Sequence, residues 1–504
     1  MRRGTQADRM DQADWLCIAY AFPPINRSGT FRTLAFVRDL AAWGWNATVV
    51  TSEADDEPID ESLRKRIPET TAVIRVPFSD PIRRVKRVWA ALRRVAADAT
   101  PLRYDSCKWT DEPEERISGL TAWWSQWLVT PDSRIGWIPG VVRAGMRAIQ
   151  RRRPRIIYST SPYVSAHLAA MILSRWYHVP WVADFRDPWR ENPFRDRHSN
   201  AVEVWDSVLE WCVLRSAHHV VCATPTMTRQ VCVRRPFVAA KISTVLNGFD
   251  DDLSDRDVVT HVHEPDRFVL THAGQFYGPR SPVIWFSALR WALRRSPELF
   301  AKFRMALIGP PTFDGRQLTE IARDAGVGGH VSVFGQKTHG ETLSYLADSD
   351  AVMVAGSTGA GCDLQVPNKL FEYLGLRRPI IATCAATSPI VGVLRDADAK
   401  ALVCHANDEV GLTDALVKLV RQGGEALPGD WSGVGKFARK HRSQELLRVF
   451  ERSSRRGCVG NGSAAGMAVP TVSVPHSGEA TLLQIRSHRP RRAAERVVPV
   501  TAVP

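Results

Sequence analysis

Apolar runs of strand length alternate along this chain with stretches of helical period. "WLCIAY" is followed by a Gly/Pro loop, "AFPPINRSG", by the helical pattern of "TFRTLAFVRDLAAWG", and by a second apolar run, "ATVVTS". The rhythm resumes with "RIIYSTS", a helix in "YVSAHLAAMILSRWYH", the strand "PWVADFRD", a helix near 203–215, and "HHVVCAT". After "STVLNGFDD" and a polar linker it restarts as "RFVLTHAG", "FRMALIGP", "HVSVFGQ", "AVMVAGS", "PIIATC" and "KALVCHA", with helices between. Strands alternating with helices predict parallel sheets covered on both faces. Two such sets, split near residues 248–265, predict two Rossmann-like α/β domains facing a cleft. In sheets of this kind ligands bind beyond the carboxyl ends of the strands, so the loops after each strand are where chemistry is sought.

Two stretches break the rhythm. Residues 77–150 interrupt the first set. Within them "PIRRVKRVWAALRRVAA" places Ile82, Val85, Trp89, Leu92 and Ala96 on one helical face, with Arg83, Arg84, Lys86, Arg87, Arg93 and Arg94 as its only charges. That pattern fits either an ordinary solvated surface helix or one lying on anionic lipid, and the tryptophans of "LTAWWSQWL" favour the second. From about Ser453 onward periodicity is lost in a run rich in Gly, Ser, Pro and Arg, which predicts a disordered basic tail over 453–504.

Composition adds charge to this picture. The 504 residues carry a formal net charge of +14, which favours anionic partners. No recognised nucleic-acid motif accompanies it, and no nucleic-acid partner is expected. Neither a run of 18 apolar residues nor an apolar signal-peptide core is found, so a cytosolic chain is expected. The nine cysteines form no CxxC pair, and with no zinc-like histidine spacing around Cys212, Cys222 and Cys232 they read as structural thiols.

The candidate chemistry starts in "DLQVPNKLFEYLGLRRPII". A helix beginning after Pro367 puts Lys369 in its first turn, at the positive end of the helix dipole, an unfavourable place worth about 0.3–1 kcal/mol. Glu372 follows three positions on, on the same face. A surface salt bridge is one explanation. A strongly anionic ligand at the carboxyl edge of the second sheet is the other, because a helix N-terminus there suits a diphosphate and the glutamate can accept from sugar hydroxyls.

"VPNKLFEYLGLRRPII" resembles the donor-site motif of the family 4 glycosyltransferases, a retaining group with the GT-B fold. "AYAFPPINRSGTFR", "PDSRIGW", "IYSTSPYVSAH", "VADFRDPW", "VLNGFD" and "HAGQFYGPRSP" match in the expected order, from about residue 16 to about 430. The resemblance implies a nucleotide-sugar donor held in an interdomain cleft, no required cofactor or metal, and retention at the anomeric carbon. It divides the chain into an acceptor-side domain over 1–250, a donor domain over 251–430, and a helix within 431–452 returning to the first domain.

Carried over by residue, Glu372 matches the family's ribose-binding glutamate, and Lys369 and Arg280 its diphosphate-binding cations. The first glutamate of the family pair would fall at Leu364, with Asp363 beside it, so this chain departs from the fuller pattern. Backbone N–H groups of "GAGCDLQV" are the expected replacement. Gly274 is expected to allow close backbone approach, and Gly335 and Gln336 fall where the family holds the base. On the first domain Gly29 and Thr30 match the loop that meets the donor phosphate, although a plain helix cap also explains Ser28 and Thr30. Arg27, Arg32 and Asp184 are acceptor-side candidates. Arg186 and Asp187 are candidates for catalysis or, with Asp184, for an internal Arg–Asp pairing. The acidic "DDD" at Asp250–Asp252 reads as linker.

The expected function is transfer of a hexosyl group to a hydroxyl acceptor in cell-surface polysaccharide or glycolipid synthesis. The acceptor would be a glycan or lipid-linked, with the inner face of the plasma membrane as a further partner. A sugar-nucleotide 2-epimerase and a catalytically silent scaffold of the same architecture are the alternatives.

Overall fold

A computed structural model describes residues 13–53, 57–78, 130–192, 199–251, 266–357, 359 and 361–459. The basic helix expected at 82–96, the tryptophans of "LTAWWSQWL", Asp252 and the tail beyond 459 lie outside the described residues.

The first sheet holds seven parallel strands, β1 (Ala13–Ala19), β2 (Trp45–Ser52), β3 (Ala72–Val76), β4 (Ile156–Thr160), β5 (Trp181–Phe185), β6 (His219–Cys222) and β7 (Ile242–Thr244), in the order β3-β2-β1-β4-β5-β6-β7. Alternate residues of β1 serve opposite faces. Leu16 and Ile18 join the core containing Trp137 and Trp181, whereas Trp15 and Cys17 join the core containing Phe36 and Phe450. That double burial is why the strand reads as a continuous apolar run rather than an alternating one. The helix Ile138–Arg151 belongs to the first core, with Val141 and Ile149 buried there and Gly145 against Leu173. The stretch 130–151 is therefore integral to the first layer set.

The second sheet has six strands: β8 (Phe268–Ala273), β9 (Phe303–Ile308), β12 (Val331–Gly335), β13 (Ala351–Ala355), β14 (Ile380–Cys384) and β15 (Ala401–His405). Its order is β12-β9-β8-β13-β14-β15, again parallel, with a two-stranded hairpin of β10 (Thr312–Phe313) and β11 (Arg316–Gln317) beside it. Among the described residues no helix is long and apolar enough to cross a membrane.

The chain passes between the two sheets twice, and the crossings lie side by side. Phe249 N–H donates to Phe437 O at 3.1 Å, and Arg439 N–H returns a bond to Phe249 O at 2.7 Å. The second crossing leads into a helix, Arg439–Val459, that packs on the first sheet: Leu446, Val449 and Phe450 fill its core, with Phe450 5.2 Å from the Trp15 ring. The helix runs several residues past Ser453, where disorder was expected. Ser453 itself is buried at 3% exposure, so the helix continues as long as one face has something to cover.

Asp250, read from the sequence as linker, is the electrostatic centre of these crossings. It is 2% exposed and accepts hydrogen bonds from Arg66, from Arg38 at 3.2 Å and from Arg439 at 2.7 Å. Burial alone would raise its pKa, but three guanidinium groups outweigh that and hold the carboxyl well below its ordinary 3.8. The stabilisation it contributes is therefore present above about pH 4 and is lost as pH falls below that value toward the native pKa. Asp250→Asn leaves Arg439 buried without its counter-charge and is expected to cost about 3 kcal/mol at pH 7. Denaturant midpoints measured from pH 7 to pH 3 check this: the gap between wild type and variant should narrow toward the acid end.

Candidate active site

Strand β8 ends in the run His272–Ala273–Gly274, and the geometry of the site follows from it. Gly274 has φ +113° and lies against Gly309, the residue after β9, where φ is +142° and an added Cβ would sit 2.6 Å from Gly274 O. Both positions need glycine, one for its backbone angle and one for close approach. Over Gly274 lies the end of the Lys369 side chain, whose Nζ would be 3.1 Å from a Cβ added there.

Lys369 stands in the first turn of the helix Asn368–Gly375, which Pro367 caps without a side-chain hydrogen bond. Its Nζ meets His272 Nε2 at 3.1 Å. The His272 ring is buried and stacked on Phe276 at 4.2 Å, and its Nδ1 faces Met353 O at 3.3 Å. A carbonyl only accepts, so Nδ1 carries the proton and Nε2 offers its lone pair to the lysine. Burial, then the charge of Lys369, holds this imidazole well below 6.5, consistent with a neutral ring. Lys369 in turn is pushed down to about 7, first by burial and then by Arg280, with Glu372 offsetting part of the effect.

The Lys369–Glu372 surface salt bridge, the alternative to an anionic ligand, is absent among the described residues. Glu372 is 8% exposed and faces His339 Nε2 at 3.8 Å and Arg439 Nη2 at 3.9 Å, both beyond hydrogen-bond range. Arg280, 9% exposed, lies over the Tyr277 ring at 5.1 Å and donates to the Tyr277 hydroxyl. Two largely buried cations thus share the carboxyl edge of the second sheet, with the Lys369 Nζ set against an imidazole. Leu364, at the place of the family's first glutamate, is buried, and its carbonyl accepts from Thr224 Oγ1 of the first domain at 2.6 Å. Gly335 ends β12 with φ +71° and accepts from Gly309 N at 2.9 Å, and Gln336 is exposed.

On the facing domain the first helix, Ser28–Ala42, begins at Arg27 with no side-chain cap. The capping explanation for Ser28 and Thr30 therefore fails. Thr30 is fully buried, and its Oγ1 has no hydrogen-bond partner among the described residues. The Arg186 guanidinium lies directly on Gly29, where any Cβ would collide with Nη1. Arg186 donates to Asp187 Oδ2 through Nε at 3.1 Å and Nη2 at 2.8 Å, while Asp187 Oδ1 accepts from Gln365 Nε2 of the second domain at 3.2 Å. The segment leading into the lysine-bearing helix thus touches the Arg186–Asp187 pair across the cleft. Phe31 and His339 close it further along, with ring centroids 4.3 Å apart.

The acceptor-side candidates need correction. All five N–H donors of Arg32 are consumed. Nε and Nη2 bind Asp184 at 3.0 and 2.9 Å, Nη2 also reaches Val245 O at 2.8 Å, and Nη1 reaches Leu246 O and Asn247 Oδ1 at 2.9 and 3.0 Å. Asp184, fully buried, accepts from Tyr158 and Thr160 as well, at 2.7 and 2.8 Å. Burial tends to raise its pKa, yet Arg32 and these donors hold the carboxyl below 3.8. Internal pairing therefore occurs twice, Arg186 with Asp187 and Arg32 with Asp184, and the second pair fastens the first domain to the crossing strand. Arg27 pairs with buried Glu57, which leaves its charge largely matched.

His272, His339, Gln365 and Arg439 are the residues that reading the string overlooked. His272 is inside the quoted "THAG" run, and its place at a strand end was the signal. His339 and Arg439 reach the site only through packing that no local pattern records.

Two family models match, one described as Glycosyltransferase Family 4 over residues 106–253 and one as Glycosyl transferases group 1 over residues 269–422. Among solved structures, sucrose-phosphate synthase from Thermosynechococcus elongatus is similar over 89% of this chain and 100% of its own, at 14% identity and TM-score 0.54. A glycosyltransferase from Rickettsia africae is similar over 88% and 99%, at 11% identity and 0.55. HepE from Anabaena, crystallised with UDP, is similar over 87% and 100%, at 13% identity and 0.54. At such identities the likeness speaks for the fold alone. No curated protein matches the sequence. With both halves of the chain matched in order and two parallel-sheet domains meeting at the site, this protein belongs to the family 4 glycosyltransferases and has the GT-B fold.

Proposed function

We propose that the chain is a retaining, metal-independent glycosyltransferase that moves a hexosyl group from a nucleotide-diphosphate sugar to a hydroxyl acceptor. The observation that carries this reading is the gathering of two basic side chains at the carboxyl edge of the second sheet, Arg280 buried there and the Lys369 Nζ set between Gly274 and the His272 imidazole. Breaking the anomeric C–O bond leaves negative charge on the departing diphosphate, and fixed cations in a dry site lower that barrier. Arg186, lying on the N-terminus of the first helix at Gly29, brings a third cation and a helix dipole from the opposite wall. Glu372, held by long contacts that leave its acceptor sites open, suits the ribose hydroxyls. Gly274 and Thr30 would meet the phosphates, and Gly335 and Gln336 the base. A relative of the same fold was crystallised with UDP, which supports a donor of this class.

Retention requires the acceptor to attack from the face the diphosphate leaves, with a phosphate oxygen taking its proton. A 2-epimerase would need a free acid/base pair at the sugar. Asp184 is saturated by Arg32 and Asp187 is engaged by Arg186, so transfer is favoured. An acceptor in polysaccharide or glycolipid synthesis, reached from the cytoplasm, completes the proposal.

Thermal-shift screening against UDP, GDP and their sugars tests the donor. A ligand at 100 times its Kd stabilises by about 2.7 kcal/mol. Replacing Arg280 and Lys369 together by Gln should abolish the shift and lower turnover about 10²–10³-fold. Undiminished affinity and turnover would remove the basis of the proposal, and an inverted anomer by NMR would remove its retaining part.

A proton accompanies the nucleotide. With Lys369 at about 7, most of it is neutral at pH 8, and a diphosphate alongside restores the ammonium. Binding of UDP should therefore take up close to one proton at pH 8, and affinity should fall up to about tenfold per unit above pH 7. Calorimetry in two buffers of different ionisation heat reads the uptake, which Lys369→Met should eliminate.

A further inference from the structure

The helix Asn200–Ser216 carries apolar side chains on the face it turns to solvent as well as on the face it buries. Val202, Val213 and Leu214 pack inward, whereas Val204, Val208 and Trp211 are 65%, 41% and 45% exposed, with Trp205 beside them at 45%. The i, i+4, i+7 spacing makes 204, 208 and 211 a continuous stripe. This stripe floors an open groove of about 460 Å³ whose walls include Arg190, Ser207 and Arg235.

The groove also has a charged end. Ser207 Oγ accepts from Arg190 Nη1 at 3.1 Å and from Arg235 Nη2 at 2.8 Å, so two guanidinium groups converge on one hydroxyl. Their carboxylate neighbours stand off, Glu203 at 3.7 Å from Arg190 and Glu210 at 4.0 Å from Arg235. The Arg190 and Arg235 side chains keep 29% and 23% of their surface exposed at this end of the groove. Two adjacent guanidiniums match the oxygens of a phosphate. Arg235 is itself set between Val233 and Phe237, 76% and 41% exposed, so the cationic end is rimmed by more apolar surface. Hydrocarbon floor, aromatic edge and paired arginines together describe an amphiphile with an anionic head.

We infer that this face of the first domain docks on an anionic phospholipid bilayer, with phosphate heads at Arg190 and Arg235 and the Val204–Val208–Trp211 stripe at the acyl boundary. The surface adjoins the cleft, since Arg190 follows Asp187 by three residues along the loop leaving β5. It is separate from the diphosphate site, and its failure would leave the donor reading untouched.

Sedimentation of the full chain with vesicles tests the inference. The protein should pellet with vesicles of phosphatidylcholine containing phosphatidylglycerol and stay in solution with phosphatidylcholine alone. Val204→Glu combined with Val208→Glu should lower the bound fraction at least tenfold with the melting temperature and the UDP-induced thermal shift unchanged. Arg190→Gln with Arg235→Gln should weaken binding and flatten its dependence on salt. The inference is overturned if the glutamate variant partitions like wild type, or if wild type binds neither vesicle. It is also overturned if the glutamate variant merely converts a dimer to a monomer, which would make a second copy the occupant.

Discussion

A buried ammonium whose nearest polar partner is an imidazole is an unstable arrangement in an empty protein, and the site is organised around it. Desolvation penalises the charged lysine, and Arg280 adds like charge. The fold could relieve this by moving a carboxylate into contact, but the nearest one, Glu372, is turned toward His339 and Arg439. The electrostatic deficit is thus left for a ligand to fill. Such a site discriminates by charge before it discriminates by shape.

The cations of the interdomain region divide by what neutralises them. Arg32 has every donor engaged and serves the architecture. Arg38, Arg66 and Arg439 gather on Asp250. Lys369, Arg280 and Arg186 face the cleft, and Arg186 holds a carboxylate, Asp187, that it shares with Gln365 of the other domain. Because Asp187 is bonded from both domains, the position of Arg186 over Gly29 depends on the cleft being closed.

Much of the architecture was legible in the string. All six strands of the second sheet, and β1, β2, β4, β5 and β6 of the first, announce themselves as apolar runs, most of them because burial on both faces selects apolar residues at successive positions, while β12 and β15 keep the apolar run although they are only partly buried. β3 escapes because "AVIRV" is only partly buried and reads as a mixed stretch. The hairpin of β10 and β11 escapes because two-residue strands have no period to detect. Within the site, His272 and Gln365 were passed over inside quoted runs, and His339 and Arg439 arrive only through packing. The acidic run at Asp250–Asp252 looked like linker because nothing local shows that three arginines, from 38 to 439, converge on its first member. Arg32 and Asp184, 152 positions apart, could be nominated separately but not paired.

The paired crossings make the first domain discontinuous in sequence. Its core contains Trp15 and Tyr158, synthesised early, and Phe450, synthesised among the last of the described residues. Until that residue leaves the ribosome, one face of the first sheet is covered only in part, by Leu34, Phe36, Val37 and Leu40 of the first helix, while the second domain can already close its own cores. Assembly of the nascent chain therefore finishes where it began, and the strip of sheet that the last helix will cover is the surface a chaperone would have to shield during translation.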